Sequence, residues 1–576
     1  MVHFRVDIED AHAHLYRVTL TLTRPAELQT LGLPVWAPGS YLVREFSRHL
    51  SGLQASQGGQ PCTVQAVDKC HWQVHCDTRQ ALVVSYRIYA FDTSVRGAFL
   101  DARRGFFNGT SLFLRAEGQA SRPHEMSLGA LPDGWDVATA MTEVAPRHYR
   151  CADYDELVDH PVELGQFWRG RFTAGGVPHE LVVTGALPSF DGERLLQDTR
   201  RICEQQIRFW HGPTGSAPPF QRYVFLLHAA EDGCSGLEHR NSTALVGPRR
   251  DLPRQRMEGL SDGLAAVLGL ISHEYFHAWN VKRLKPADFE TLDYARENHT
   301  RMLWFFEGIT SYYDDLALLR CGLIDLERYL KQLSRSWQAI AATPGRQLQS
   351  LGDASFDAWI KYYRSDENTP NATVCYYQKG ALVALALDIS LRRDGSSLDE
   401  VMRELWEQHG DGAIDETDVA RAMQTLSGRS YQAELAAWVH GTDELPIDVL
   451  AADLGWQARS ERASLAAQLG LKLSEGALTG VQVRSVLSGG AACAAGISAG
   501  DELLAVDGWR IRRLDEALAW IDPAQAFDLL LVRDQRVLSL RVVPDPGSPW
   551  ARQFSLQPEA HPSREAAARR RAWLDA

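Results

Sequence analysis

A predicted buried helix, from about Ser261 to Asn280, contains two histidines four residues apart in the segment HEYFH. Residues i and i+4 lie on one face of a helix, so His273 and His277 can bind one tetrahedral zinc ion at Zn–N distances of about 2.0–2.1 Å. Burying two histidines and a glutamate without such a partner would carry a large desolvation cost. The motif therefore predicts a metal site, and Glu274 is placed to act as general base on a water that the metal activates.

Two histidines need a further protein ligand, and the next predicted helix, around Leu303 to Leu319, offers Glu307. Glu307 lies 30 positions after His277, within the aromatic helical segment LWFFEGITSYYDD. A carboxylate in such a segment needs a partner, which is either the metal, a salt bridge or solvent. His299, in the polar segment ARENHTRM, is the competing ligand.

The composition is that of an ordinary globular protein. The chain has 576 residues, enough for three or four domains at about 150 residues each, and 45% of them are hydrophobic. A net charge of −13 argues against binding to nucleic acid or coating an anionic membrane. The nine cysteines include no CxxC pair, which argues against a disulfide framework and a cysteine-based zinc site. Because we find neither a long apolar run nor the apolar core of a signal peptide, we expect a cytoplasmic protein.

Changes in residue patterning along the chain predict several domains. Residues 1–165 are expected to form a β-domain, since segments such as HLYRVTLTLT and ALVVSYRIYAF alternate or are rich in β-branched residues. Residues 166–340 contain the HExxH motif and residues 341–455 have helical patterning. Residues 456–545 combine short strands with glycine turns, which is typical of a small mixed β module. The Ala- and Arg-rich end of residues 546–576 is expected to be an exposed helix or a frayed C-terminal tail.

The segments HEYFHAWNVKRLKP and LWFFEGITSYY together resemble the glycyl aminopeptidase family of zinc metallopeptidases, of the gluzincin type. VWAPGSYLVREF, FFNGTSLFL and GCSGLEHRNS are similar to further motifs of that family, and the last β module is similar to its PDZ domain. The resemblance implies a multidomain α+β fold with an N-terminal β-domain, a thermolysin-like zinc-peptidase domain with a helical bundle, and a C-terminal PDZ-like domain. It also implies one zinc ion per chain, held by His273, His277 and Glu307, with Glu274 as the catalytic base.

Many gluzincins place an acidic residue four positions after the ligand glutamate, where it supports the zinc ligands. That position is Ser311 in this chain, and the nearest carboxylates after it are Asp314 and Asp315. The residue that orients the zinc ligands therefore stays open.

GLEHRNS follows the predicted strand RYVFLLHAA and can form a strand edge above the metal. It is similar to the Gly-x-Met-Glu-Asn element of larger zinc aminopeptidases, whose glutamate binds the amino group of the substrate. The resemblance implies that Glu238 holds the substrate's ammonium group, which limits cleavage to the first residue. His239 is a weaker candidate for binding the substrate, and an ordinary loop carboxylate is the alternative for Glu238.

CYYQKGALVALAL contains two adjacent tyrosines before Lys379-Gly380. In related zinc aminopeptidases, a tyrosine two residues before Lys-Gly donates a hydrogen bond to the oxyanion, and Tyr377 matches that offset. A phenol there would stabilise charge that develops only in the transition state. Tyr376 is the alternative donor, and a core tyrosine at the start of a helix is the structural alternative.

In the PDZ-like module, Leu469, Gly470 and Leu471 match a carboxylate-binding loop that opens an edge strand. A peptide C-terminus could add to that strand by β-augmentation, with a helix from about Leu514 to Ile521 as the other wall of the groove. The alternative is that the module packs on the catalytic region and binds no ligand.

The sequence thus favours a zinc aminopeptidase whose substrates are peptides with a free N-terminus, with Gly or Ala as the first residue by resemblance. A zinc endopeptidase would keep the metal site without the ammonium anchor. A non-catalytic, PDZ-bearing peptide-binding scaffold is the third hypothesis, and the presence of all the core site residues argues against it.

Overall fold

The computed structural model describes residues 2–212, 217–476, 478–545, 547–548 and 550–575. The chain divides into two compact units, which we describe separately. The first comprises Met1–His299, Tyr313–Ile324 and Arg403–Ile414, and the second comprises Thr300–Tyr312, Asp325–Met402 and Asp415–Ala576. Within the described ranges, no helix combines the length and apolar character that crossing a membrane requires.

The first unit opens with a β-rich region that ends at Gly165. Its strands are β1 (Val2–Asp10), β2 (Leu15–Leu22), β3 (Leu28–Gly32), β4 (Leu50–Gln57), β5 (Gln60–Cys62), β6 (Val64–Ala66), β7 (His71–His75), β8 (Leu82–Tyr89), β9 (Ala98–Leu100), β10 (Arg104–Phe107), β11 (Arg115–Ala116), β12 (His124–Leu128), β13 (Asp136–Ala138), β14 (Thr142–Ala145), β15 (His148–Cys151) and β16 (Val162–Gly165). A short helix, α1 (Tyr154–Val158), precedes β16.

These strands form sheets of order β14-β15-β12-β1-β2-β8-β4-β5, β13-β16-β10-β9 and β11-β3-β7-β6. Every second residue of β2 is buried, as its alternating pattern predicts. The core fully buries Tyr16, Tyr86 and Tyr154, and each of their hydroxyls donates to a backbone carbonyl. The polar tips of these large side chains are therefore satisfied inside the core.

A five-stranded sheet follows in the first unit, with the order β17-β18-β19-β21-β20. Its strands are β17 (Trp168–Ala174), β18 (Val177–Thr184), β19 (Tyr223–Ala230), β20 (Ser235–Glu238) and β21 (Ser242–Pro248). Strand β20 lies at the edge, antiparallel to β21, which confirms that the GLE segment forms a strand edge. Helix α2 (Gly192–His211) packs against helix α3 (Asp262–Phe276).

Helix α3 carries the HExxH motif and begins where the sequence predicts. Ser261 is its N-cap, and the Ser261 hydroxyl accepts the N–H of Leu264. The apolar residues Leu264, Leu268 and Ile271 are fully buried. The α3 helix ends at Phe276, so His277 occupies the C-cap position.

Most of the remaining chain is helical. Two short strands, β22 (Lys285–Pro286) and β23 (Ala413–Ile414), pair in parallel within the first unit. A π-helical turn, Trp304–Ile309, leads into α4 (Thr310–Arg320), which confirms the predicted helix in this segment. The helices that follow are α5 (Leu326–Ala341), α6 (Leu351–Phe356), α7 (Thr369–Ala372), α8 (Tyr376–Arg393), α9 (Leu398–His409), α10 (Glu416–Ser427), α11 (Gln432–Leu435) and α12 (Ile447–Ala451).

The second unit ends with a mixed β module. Its elements are β24 (Trp456–Arg462), α13 (Leu465–Leu469), β25 (Leu471–Gly476), β26 (Gly480–Val486), α14 (Ala491–Ala494), β27 (Glu502–Val506), β28 (Trp509–Arg510), β29 (Phe527–Arg533), β30 (Arg536–Val542), β31 (Arg552–Pro558) and α15 (Arg564–Leu574). The sheet order is β25-β26-β27-β29-β30, and the helix expected near Leu514 is a 3-10 helix, Leu514–Ala519. Strand β24 pairs with β31, so the module is inserted between the two strands of a ribbon.

Residues 546–576, which the sequence suggests are a tail, contain strand β31 and helix α15. Backbone N–H groups of Phe554 and Leu556 donate to side chains of α5. Trp573 of α15 is fully buried, and its indole N–H donates to the Tyr312 hydroxyl at 2.8 Å. One tryptophan therefore anchors a helix whose Ala- and Arg-rich composition suggests exposure.

Candidate active site

The two histidines of the HExxH motif bring their Nε2 atoms to 3.1 Å from each other. Two nitrogens bound to one tetrahedral zinc ion would lie roughly 3.3 Å apart, given Zn–N distances of about 2.0–2.1 Å. On the far side of each ring, His273 Nδ1 lies 3.0 Å from Asp314 Oδ2, and His277 Nδ1 lies 2.8 Å from the Asn280 carbonyl oxygen. Both acceptors favour a proton on Nδ1, which leaves the Nε2 lone pairs for a metal. The histidine pair therefore fits zinc.

Asp314, in helix α4, is the carboxylate that orients His273. Burial raises the pKa of the Asp314 carboxyl group, and the hydrogen bond from His273 acts in the opposite direction. The other Asp314 oxygen accepts the backbone N–H of Asp315 at 2.5 Å. The sequence alone could not choose between Asp314 and Asp315, because the choice depends on how α4 packs against α3.

Glu274 lies beside the histidines and beneath the edge strand β20. Its side chain is buried, and Gly236 of β20 leaves the room that it occupies: a Cβ atom at Gly236 would lie 2.0 Å from Glu274 Oε1. One ligand atom each of Glu238, Glu274 and His277 lies within 4.8 Å of the other two. Two buried carboxylates and an imidazole therefore converge on one point.

Glu238 is the last residue of β20 and is 5% exposed. It lines a cavity of about 700 Å³, whose walls include Trp36, Gly39, Tyr41 and Asn241. A buried carboxylate beside a cavity of this size can bind a cationic group that enters from the cavity.

The next residue, His239, is held by a buried ion-pair network that no sequence motif indicates. His239 Nδ1 lies 3.1 Å from Asp159 Oδ1, and the same oxygen accepts Lys282 Nζ at 2.6 Å. The backbone N–H of Arg240 donates to the other oxygen of Asp159 at 2.9 Å. Burial lowers the pKa of His239, although Asp159 acts in the opposite direction. The network fixes the chain directly after Glu238.

In the second unit, Glu307 is buried in the π-helical turn. The next residue, Gly308, packs on helix α8 so closely that a Cβ atom on Gly308 would lie 2.5 Å from the Gly380 Cα atom. This contact fixes Glu307 relative to the first turn of α8. Because neither Gly308 nor Gly380 has a side chain, the two backbones can approach this closely.

Tyr376 and Tyr377 form that first turn of α8, with ring centroids 4.7 Å apart. Tyr376 is fully buried, whereas Tyr377 is partly exposed. Burial, and then the charge of Glu307, raise the pKa of Tyr377 well above its ordinary value. Its phenol is therefore protonated at neutral pH and able to donate a hydrogen bond.

His299, the competing metal ligand, has a different environment. Its side chain is 41% exposed, and His299 Nε2 lies 3.7 Å from Glu297 Oε2. An exposed imidazole beside a neighbouring carboxylate needs no metal to satisfy it.

The turn expected to bind a peptide carboxylate is part of a helix cap. Gly470 has φ +76° and its N–H donates to the Ala467 carbonyl at 2.9 Å, which closes helix α13. Leu469 is fully buried in the core of the module. The N–H of Gly470 therefore serves the chain's own helix.

Comparison with known protein families gives three matches. The Peptidase M61 N-terminal domain matches residues 3–166, M61 glycyl aminopeptidase matches residues 266–383, and the PDZ domain matches residues 458–525. A comparison with curated proteins gives no match.

Solved structures provide a full-length relative. An aminopeptidase N family protein from Idiomarina loihiensis is 34% identical to this chain, with 100% of each chain covered and a TM-score of 0.93. An M1 zinc metallopeptidase from Deinococcus radiodurans, solved as a mutant bound to a Tyr-Ser-Ala substrate, is 15% identical, with 77% of this chain and 94% of that chain covered and a TM-score of 0.47.

The full-length relative and the matched domains agree with the multidomain α+β fold described above. The M61 glycyl aminopeptidase match covers the HExxH motif, Glu307 and Tyr377. The chain therefore belongs to the M61 glycyl aminopeptidase family and is a metalloaminopeptidase with a C-terminal PDZ domain.

Proposed function

We propose that this protein removes a small N-terminal residue, Gly or Ala, from peptides, with one zinc ion bound by His273, His277 and Glu307. The observation that carries the proposal is the convergence of two buried carboxylates with His277, within 4.8 Å. Two carboxylates at one metal site can have different roles: one can accept a proton from water, and the other can bind the substrate's ammonium group.

The metal ligands are supported by the chemistry of the donor set. Zinc, when bound, lowers the pKa of a water molecule and polarises the scissile carbonyl group. His273 and His277 present their Nε2 atoms to a common point, and Asp314 holds the first of them. Glu307 is buried on the helical run that continues into α4, the helix of Asp314. A carboxylate on that run is a suitable third ligand for zinc.

Glu274 is proposed as the general base. It follows His273 on α3, and its carboxylate lies below Gly236 in the edge strand. From there it takes a proton from the attacking water and gives it to the departing amine. Tyr377 is proposed to donate its phenolic proton to the oxygen that becomes negative, a contact worth most in the transition state.

Glu238 is proposed to bind the substrate's ammonium group. Its position at the end of an edge strand suits this role, because a substrate that follows β20 would end at Glu238. The Asp159 network, which includes His239, holds the end of that strand in place. An endopeptidase would gain nothing from such an anchor, so Glu238 favours the aminopeptidase over that alternative. The preference for Gly or Ala is proposed from the family match.

The proposal is tested with p-nitroanilides of Gly, Ala and Leu. We expect the Gly and Ala substrates to give the highest kcat/KM values, a chelator to abolish hydrolysis, and added zinc to restore it.

Glu274→Gln should lower kcat by about 10²–10⁴-fold while zinc remains bound, since it removes the base and leaves the ligands. Glu290→Gln, which changes an exposed carboxylate of the same cavity, is the matched control. Wild-type rates in Glu274→Gln would overturn the assignment.

A further inference from the structure

The position of the Glu238 carboxylate is set by a glycine from a distant part of the sequence. Gly39 lies in the segment VWAPGSYLVREF, which we call the WAPGS loop (residues 35–46). A Cβ atom on Gly39 would lie 2.2 Å from Glu238 Oε1 and 2.6 Å from Oε2. Real Cβ atoms essentially never approach other atoms within 3.0 Å, so another residue at this position would force Glu238 to move.

The WAPGS loop is fixed, so its backbone has little freedom to retreat from Glu238. The Ser40 N–H donates to the Ala37 carbonyl at 2.9 Å, and the Arg44 N–H donates to the Val35 carbonyl at 2.7 Å. The indole N–H of Trp36 donates to a backbone carbonyl at residue 293, at 2.9 Å. These bonds hold both ends of the turn that contains Gly39.

A glycine with positive φ does not by itself imply a close neighbour at the Cβ position, so the contact between Gly39 and Glu238 is a separate feature. Gly39 has φ +87°, in the left-handed region that favours glycine. Gly52 and Gly118, in the same β-rich region, have φ +62° and +72°, yet a Cβ atom on either would meet nothing within 4 Å. At Gly39 the absent side chain is therefore required by space as well as by conformation.

We infer that Gly39 is a positioning residue for Glu238, and that the WAPGS loop forms the wall against which this carboxylate rests. The inference rests on the proposed function, in which Glu238 binds the substrate's ammonium group. The loop closes one side of the Glu238 carboxylate, and the cavity that Glu238 lines gives the ammonium group access to it. The N-terminal β-rich region thereby takes part in substrate recognition through a glycine that offers no functional group of its own.

The test measures hydrolysis of glycine p-nitroanilide by Gly39→Ala. We expect KM to rise at least tenfold with a smaller change in kcat, because the displaced carboxylate binds the ammonium poorly. Gly118→Ala is the matched control, since it has the same cost of a left-handed backbone without the contact. Its KM should equal that of the wild type. A wild-type KM for Gly39→Ala would overturn the inference.

A double variant separates positioning from a general structural effect. Glu238→Asp shortens the side chain by one methylene and opens space in front of position 39. In the Glu238→Asp background we expect Gly39→Ala to change KM less than threefold, because the clash is relieved. Equal factors in both backgrounds would contradict the inference. If Gly39→Ala alone fails to fold, recovery of folded protein in the double variant supports the inference, and no recovery contradicts it.

A crystal structure of Gly39→Ala distinguishes failure of this inference from failure of the proposed function. If Glu238→Gln leaves KM unchanged, the ammonium role of Glu238 is wrong whatever happens at Gly39. The inferred contact is then judged by geometry alone. A shift of the Glu238 carboxylate by about 1 Å or more supports the positioning role, and an unmoved carboxylate overturns it.

Discussion

At the residue scale, each imidazole of the histidine pair is oriented by a hydrogen bond at Nδ1, the nitrogen that faces away from the other histidine. His273 uses the Asp314 carboxylate and His277 uses a backbone carbonyl. The sequence predicts the pair itself, because helical periodicity places residues i and i+4 together. It does not predict these acceptors, because they depend on tertiary packing and on the backbone path after α3.

Asp314→Asn should weaken zinc binding by about 10–100-fold, because the amide is a weaker partner for the imidazole of His273. Competition with a chromophoric chelator measures the change. Asp315→Asn, one residue further along α4, is the control and should bind zinc as the wild type does. Equal affinities for Asp314→Asn and the wild type would show that Asp314 does not support the metal ligand.

Asp159 predicts a pH dependence of stability. Burial raises the pKa of Asp159, but the charge of Lys282 and the hydrogen bond from His239 lower it by more, so the net shift is downward. A lowered pKa gives stability that is complete above the unfolded pKa of about 3.9 and is lost as the pH falls below it. We expect Asp159→Asn to lower the Tm by about 5–10 °C at pH 7, and the difference to shrink below about pH 4. A difference that is constant from pH 7 to pH 3 would contradict this account.

At the element scale, regular periodicity makes the main helices predictable, and long-range contacts decide how they are used. The helix predicted around Leu303 to Leu319 is observed as the π-helical turn Trp304–Ile309, which continues into α4 (Thr310–Arg320). The close approach of Gly308 to Gly380 and the anchoring of α15 join segments far apart in the chain, so no local pattern reports them. The buried residues of α15 are Ala566 and Trp573, so its Ala- and Arg-rich sequence predicts an exposed helix.

The anchor in α15 can be tested with Trp573→Ala. This change removes a fully buried indole, whose ring packs 5.3 Å from that of Trp456, and its hydrogen bond to Tyr312. A cost of about 3–5 kcal/mol is expected, which should appear as a clearly lower Tm. Trp509→Ala, at a residue that is 68% exposed, is the control and should leave the Tm nearly unchanged. Equal melting temperatures for the two variants would show that α15 does not stabilise the second unit.

At the scale of the whole molecule, the family matches confirm the predicted multidomain α+β organisation. It was predictable because alternating, helical and glycine-rich stretches of sequence distinguish its parts. Most of the candidate site was also predictable, since motifs carry His273, Glu274 and Glu238. Its supporting residues were not. Gly39 and Glu238 are about 200 positions apart, and only the folded chain shows that one limits the other.

Glu238, a carboxylate beside the histidine pair, is proposed to bind the free N-terminus of the substrate. The most direct measurement compares the hydrolysis of glycine p-nitroanilide with that of its N-acetylated form by the zinc-loaded wild type. We predict that acetylation lowers kcat/KM by about 100-fold or more, because it leaves the buried Glu238 carboxylate without its cation. Hydrolysis of both substrates at comparable rates would contradict the proposed role of Glu238.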